Sequence, residues 1–307
     1  MPPATNGEDR ADAAADIDLA LGFTVPGRNA RGRLVRLGPL LGEILAAHDY
    51  PEPIRRVLSE SLILTALLGA TLKEAGGQLT LQAQTESGAV ELLVCDYRAG
   101  ALRGYARFDP ERLAETPSAP SLFALFGRGY LAITFDQAAS GERYQGIVPL
   151  EGASLAGAAE SYFAQSEQIP SLVRLAADGN GIAGGLLLQH LPEGEEGRER
   201  LPSRLDHPEW EHVKTLAATV TQAELAAAEP PLEELLWRLF HEEEEVRLLP
   251  RLPLRRGCRC DADYIREVIA RFDPDEKREM ADEEGIITVD CQFCARMFPI
   301  PLAEIDN

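Results

Sequence analysis

Four of the five cysteines of this 307-residue chain fall within its last fifty residues, as Cys258-Arg-Cys260 and Cys291-Gln-Phe-Cys294. Two close pairs of thiols brought together by a folded loop supply the four thiolates of a tetrahedral Zn²⁺ site. One zinc per chain is therefore the expected cofactor, held by Cys258, Cys260, Cys291 and Cys294. The C-x-C pair bends the backbone tightly, and a disulfide closing so small a loop would be strained and labile. A purely structural zinc ribbon is the alternative reading of the same four residues.

The charge balance limits the partners. With 30 basic against 50 acidic residues the net charge is −20, and residues 258–307 alone hold six Arg or Lys against thirteen Asp or Glu. A zinc module that grips phosphate should be basic, so nucleic acid is not an expected partner. The N-terminus lacks a basic and an apolar segment of the secretory kind, and the apolar run Leu62–Leu72 is too short to span a bilayer, so a cytosolic protein without membrane contact is expected. In a reducing cytosol, clustered cysteines bind metal or are redox-active more often than they form permanent disulfides.

Four regions follow from composition and periodicity. Residues 1–17 read as a disordered tail. Residues 18–192 read as a mixed α/β core of the α+β class. Helical spacing marks 39–49 and 53–74, and strands are expected at 78–85, 89–97, 102–108, 130–136, 144–150, 172–177 and 182–191. A helix at 154–168 and hairpin turns at Ser87-Gly88 and 178–181 complete the core. Residues 193–257 read as an acidic helical linker, with fifteen acidic against six basic residues up to Pro250. Capping boxes are expected at Asp206–Glu209 and Thr221–Glu224, and Pro231 at the first position of a helix. That helix carries the stripe Leu232, Leu235, Leu236, Leu239 and Phe240, which needs a surface to lie on, and its short length makes its folding depend on docking. Both tryptophans, Trp210 and Trp237, lie in this linker. Residues 258–307 read as the zinc-binding domain.

Enzyme signatures are missing. None of the three lysines, Lys73, Lys214 and Lys277, follows a glycine in a phosphate-loop motif, and His241-Glu242 has Glu245 where a second metal-binding histidine would stand. Gly152-Ala-Ser-Leu-Ala156 ends in alanine where a nucleophile elbow needs glycine. Cys95 follows Leu92-Leu-Val and reads as a buried small hydrophobe without a role. Gly184-Gly185 reads as a bulge or a close packing point. A binding protein, not an enzyme, is the expectation.

Longer motifs carry a resemblance. Gly32-Arg-Leu-Val-Arg-Leu-Gly-Pro39, His48-Asp-Tyr-Pro-Glu-Pro53, Leu79–Gln84, Leu102–Arg107, Tyr144–Leu150, Gln165–Pro170, Ala183–Gln189 and Leu236–Glu243, with the terminal C-x-C and C-x-x-C, resemble the 33 kDa chaperonin family from about Asp18 to the end. The resemblance implies an ATP-independent holdase chaperone that binds unfolding clients under oxidative and heat stress. It implies that zinc keeps the reduced form inactive and that the active form is a homodimer. The implied ligands fall on the same four cysteines, and the implied oxidised form carries two disulfides, Cys258 to Cys260 and Cys291 to Cys294, with zinc released and the linker unfolded. The family often has glycine after its last cysteine; here Ala295 stands there. Against this switch stands the alternative of a constitutive zinc-ribbon interaction module with a structural metal. Oxidant dependence separates the two.

Overall fold

In the first strand, β1 (Leu19–Val25), Leu19, Leu21, Phe23 and Val25 belong to one apolar cluster while Ala20 faces another. That alternation places β1 in a sheet covered on both sides. The computed structural model describes residues 17–72, 76–85, 87–136, 141–150, 154–177, 181–191 and 207–305. The tail expected at residues 1–17, apart from Ile17, the 178–181 turn apart from Gly181, and Asp206 lie outside them.

The chain continues through β2 (Ala30–Leu37), α1 (Pro39–Leu45), α2 (Glu52–Gly69), β3 (Gln78–Thr85), β4 (Val90–Arg98) and β5 (Ala101–Phe108). Then follow α3 (Pro110–Ala114), α4 (Leu122–Phe126), β6 (Gly129–Asp136), β7 (Arg143–Pro149), α5 (Leu155–Tyr162), β8 (Ser171–Ala177) and β9 (Ala183–His190). One sheet has the order β8-β9-β2-β1 and the other β5-β4-β3-β6-β7, with every one of these pairs antiparallel. The mixed, largely antiparallel α+β class expected from the strand pattern is what forms. Helix α2 runs between the sheets, and from Ser61 to Gly69 it is buried on all sides, as an all-round apolar segment requires, while Glu52, Arg55 and Arg56 of its first turns are exposed. Its Ser59, Ser61 and Thr65 hydroxyls donate to carbonyls four residues back and so need no other partner. The apolar run Leu62–Leu72 is thus mostly core helix; among the described residues no helix is long and apolar enough to cross a membrane.

Three helices of the acidic stretch, α6 (Pro208–Ala217), α7 (Gln222–Leu225) and α8 (Leu232–Phe240), cover the far face of the first sheet. The capping box at Thr221–Glu224 forms, whereas α6 begins with His207, whose ring accepts from the Glu209 amide. Pro231 stands at the N-cap of α8, one residue ahead of the expected position. The helical reading fails at the end of the stretch. There the chain makes three two-residue strands, β10 (Arg247–Leu248), β11 (Leu252–Pro253) and β12 (Arg255–Arg256). The first two pair with β1 and the third runs parallel to β5, so this strap crosses from one sheet to the other. Prolines 250 and 253 rule out a helix there and suit short edge strands.

The C-terminal unit contains α9 (Ala262–Ala270), α10 (Pro274–Met280) and the hairpin β13 (Ile286–Asp290)–β14 (Met297–Pro301). Its own core is four isoleucines, Ile269, Ile287, Ile300 and Ile305. A core that small does not hold fifty residues together without a further cross-link.

Candidate metal centre

The two cysteine pairs are delivered by different elements. Cys258 and Cys260 follow β12, anchored by the Gly257 amide, which donates to the Leu102 carbonyl at 2.8 Å. Asp261 then caps α9 by accepting from the Tyr264 amide, turning the chain away from the cluster. Cys291 and Cys294 sit in the turn of the β13–β14 hairpin, where the Cys291 carbonyl accepts from the amides of Cys294 and Ala295. The four sulfurs lie within 4.8 Å of one another. Cys258 Sγ is 3.4 Å from Cys260 Sγ and 3.5 Å from Cys291 Sγ, and Cys260 Sγ is 3.6 Å from Cys294 Sγ. Four sulfurs about 2.3 Å from a central Zn²⁺ would stand about 3.8 Å apart, so the donor set suits a tetrahedral metal.

Electrostatics point the same way. Burial pushes the Cys258 thiol up, but hydrogen bonds from the Cys260 amide and the neighbouring thiols bring it down to about 7. Burial and the adjacent thiols push Cys260 up. Cys291 is also raised, with burial the largest cause. One thiolate forms readily and resists a second, which is the situation a bound cation relieves. Cys95 is different: fully buried beside Asp96, its thiol is held far above the ordinary value, and it is an inert core residue.

Ala295 has φ +55, the left-handed conformation that favours glycine. The expected consequence is that Ala295→Gly stabilises this turn by about 1 kcal/mol. Transfer of the metal to a chromophoric chelator should slow accordingly; an unchanged rate would show that the turn bears no such cost.

The residues between the cysteines hold the unit to the core. Arg259 donates to Asp96 Oδ2 at 2.6 Å, and Asp96 is also bound by Arg103 Nε at 2.7 Å and Thr80 Oγ1 at 2.7 Å. Phe293 lies under the Arg103 guanidinium, 3.9 Å from it, and against Tyr105. His48 Nε2 donates to the Gln292 carbonyl at 2.7 Å. Each loop that carries sulfur donors therefore also carries a contact with the second sheet. Sequence reasoning missed these contacts, since Arg259 and Asp96 are 163 positions apart.

The stripe residues Leu232, Leu235, Leu236, Leu239 and Phe240 are all buried against the first sheet, with the Phe240 ring 5.5 Å from that of Phe23. Trp210 is buried at 2% exposure, whereas Trp237 is 67% exposed and stacks on His241. Polar ties accompany the apolar ones. Buried Arg36 donates to the carbonyls of Ala228 and Pro230. Arg28 pairs with Glu209 and Glu243, and His212 with Glu243. Burial pushes the Glu243 carboxyl up, but Arg28 and His212 more than offset this and hold it below the ordinary value.

Gly184 and Gly185 form a close packing point with two faces. A Cβ on Gly184 would stand 2.0 Å from the Leu225 carbonyl oxygen of α7, and one on Gly185 would stand 2.5 Å from Ile63 of α2. Gly184→Ala is expected to cost about 1–3 kcal/mol of docking by overpacking. Faster tryptic cleavage at Arg238 with unchanged protection of α2 would report it; unchanged cleavage would mean α7 shifts without loosening its neighbours.

A model of the Hsp33 protein family matches residues 18–300. The 33 kDa chaperonin of Caulobacter vibrioides (strain NA1000 / CB15N) is 42% identical over 294 residues, covering 92% of this chain and 94% of that one. That of Ectopseudomonas mendocina (strain ymp) is 39% identical over 291 residues, covering 94% of each. The crystal structure of the 33 kDa chaperonin from Thermotoga maritima superposes with a TM-score of 0.74 at 22% identity, covering 94% of this chain and 97% of that one, a likeness of fold.

Proposed function

Because this chain belongs to the Hsp33 family, we propose that it is a chaperone whose client-binding surface is covered in the reduced state and uncovered by oxidation of its four clustered cysteines. The observation that carries the reading is the double use of the first sheet. Leu21, Phe23, Leu34, Leu186 and Leu188 form an apolar face now occupied by Trp210, Leu235, Leu236 and Phe240 of the helical layer. If that layer were released, a contiguous apolar surface would be open to an unfolding client.

Cys258, Cys260, Cys291 and Cys294 would hold Zn²⁺, which when bound supplies a cross-link between the strap and the β13–β14 turn. Oxidation of two thiols to a disulfide gives up two electrons and two protons, which reduce one peroxide to two waters and leave two fewer donors. Cys258 Sγ stands about equally near Cys260 Sγ, at 3.4 Å, and Cys291 Sγ, at 3.5 Å, and the pairing Cys258–Cys260 with Cys291–Cys294 is part of the proposal. With the donors gone, Arg259, Gln292 and Phe293 lose the geometry that presents them to the core. The strap that follows the helical layer then loses its anchor. We assign this activity to the bacterial cytosol, with dimerisation of the active form as part of the same reading.

Light scattering of a heat-unfolding client tests it. The oxidised protein should suppress aggregation at near-stoichiometric ratio without nucleotide, and the reduced protein far less. Equal protection by both forms would make the cluster a structural staple and the protein a constitutive binder.

A further inference from the structure

The stretch from Val246 to Cys260 contains five arginines and no acidic residue, in a chain of net charge −20. Arg247, Arg251 and Arg259 have carboxylate partners in Glu245, Glu233 and Asp96. Arg255 and Arg256 have none among the described residues, and neither does Arg98 across the strap. A pocket of about 320 Å³ opens here, lined by Arg98, Arg255, Arg259 and Asp96 and reaching Cys258. Asp96 is already bound by Arg103 and Arg259, so it does not neutralise the other two guanidiniums. Arg255 spends one donor on the Ala99 carbonyl and keeps the rest of its fork free.

We propose that this pocket binds small oxyanions and thereby directs carboxylate-bearing disulfides to Cys258. A carboxylate seated between Arg98 and Arg255 is recognised by guanidinium forks, whose planar geometry suits two oxygens. The proposal rests on the reading that these cysteines are oxidised in function. The thiolate of Cys258 attacks one sulfur of the incoming disulfide; the reagent S–S bond breaks, a mixed disulfide forms, and the leaving thiolate takes the electron pair. Cys260, with its sulfur 3.4 Å away, then attacks the Cys258 sulfur and expels the second reagent thiolate, its own proton passing to solvent. Two cysteines lose two electrons and one disulfide gains them.

The test compares the dianionic 5,5′-dithiobis(2-nitrobenzoate) with neutral 4,4′-dithiodipyridine on the reduced full-length protein, following release of reagent thiolate. The rate with the dianion should saturate with concentration and be inhibited by inorganic phosphate, beyond the effect of chloride at equal ionic strength; the neutral reagent should show neither. Arg98→Gln with Arg255→Gln should lower the ratio of dianion to neutral rates by about tenfold, whereas Arg56→Gln, at a side chain that does not line the pocket, should not. Arg98→Gln alone, at an exposed side chain, should lower the ratio by about threefold and guards against misfolding of the double variant. An unchanged ratio, or phosphate acting no differently from chloride, would overturn the proposal. Because the readout is thiol chemistry, a failure of the chaperone reading would leave this result standing.

Discussion

Cys294→Ser is expected to unfold the C-terminal unit while leaving the core intact. Structural zinc contributes on the order of 10 kcal/mol in small cysteine domains, and the unit's own core of four buried isoleucines is no substitute. Hydrogen exchange should show β13, β14 and α9 losing protection at neutral pH, with α2 and the central strands unchanged. The contacts of Arg259 and Phe293 with the second sheet should go with them, because the loops that present them are shaped around the cluster. Cys95→Ser should do none of this, since that sulfur is buried in the core and is not one of the four that cluster. Retained protection of β13 and β14 in the Cys294 variant would show that the unit is stable without its fourth donor and would remove the cluster from the switch.

Leu235→Glu is expected to release the helical layer without any oxidant. Leu235 is fully buried within the stripe, and a carboxylate placed there costs roughly 3–5 kcal/mol while α8 stays docked. The layer should therefore spend most of its time off the sheet, giving partial client protection by the reduced protein and tryptic cleavage at Arg238 and Arg247. Fluorescence should shift to the red through Trp210, since Trp237 is already in water. Trp210→Phe in the same background should abolish the shift. Unchanged emission and proteolysis in an active oxidised protein would move the client surface elsewhere on the core.

The parts of this molecule that were legible in its sequence are those with a short-range signature. Four cysteines at close spacing announce a metal site, and the family resemblance carried by the longer motifs is met by the comparisons. The stripe of α8 has a period that only a docked helix explains. The α+β class followed from strand runs divided by helices. Other features have no local signal. Strands β1 and β2 were not foreseen, although Leu19, Leu21, Phe23 and Val25 alternate, because Gly22 and Gly32 dilute the pattern. The strap lies inside the stretch that composition marks as a helical linker, because two-residue strands have no period to read. Trp237 follows the stripe in sequence but falls outside the buried arc of the helix. Aromatic and charged contacts between the cysteine loops and the second sheet depend on residues more than a hundred positions apart, which no window can connect. Ala295 was visible only as a departure from the family, and its left-handed backbone gives that departure a physical meaning.

The strap has one more property. Its main chain bonds with β1 through β10 and β11 and with β5 through β12, so it seals an edge of each sheet. Were it drawn away with the cysteine loops, the amides and carbonyls of both edges would be left unpaired, and an edge in that condition accepts any extended chain of either direction. A client could then be gripped by its backbone as well as by its apolar side chains. Such capture would be indifferent to sequence, and it would end when the strap re-formed its own pairing and displaced the guest.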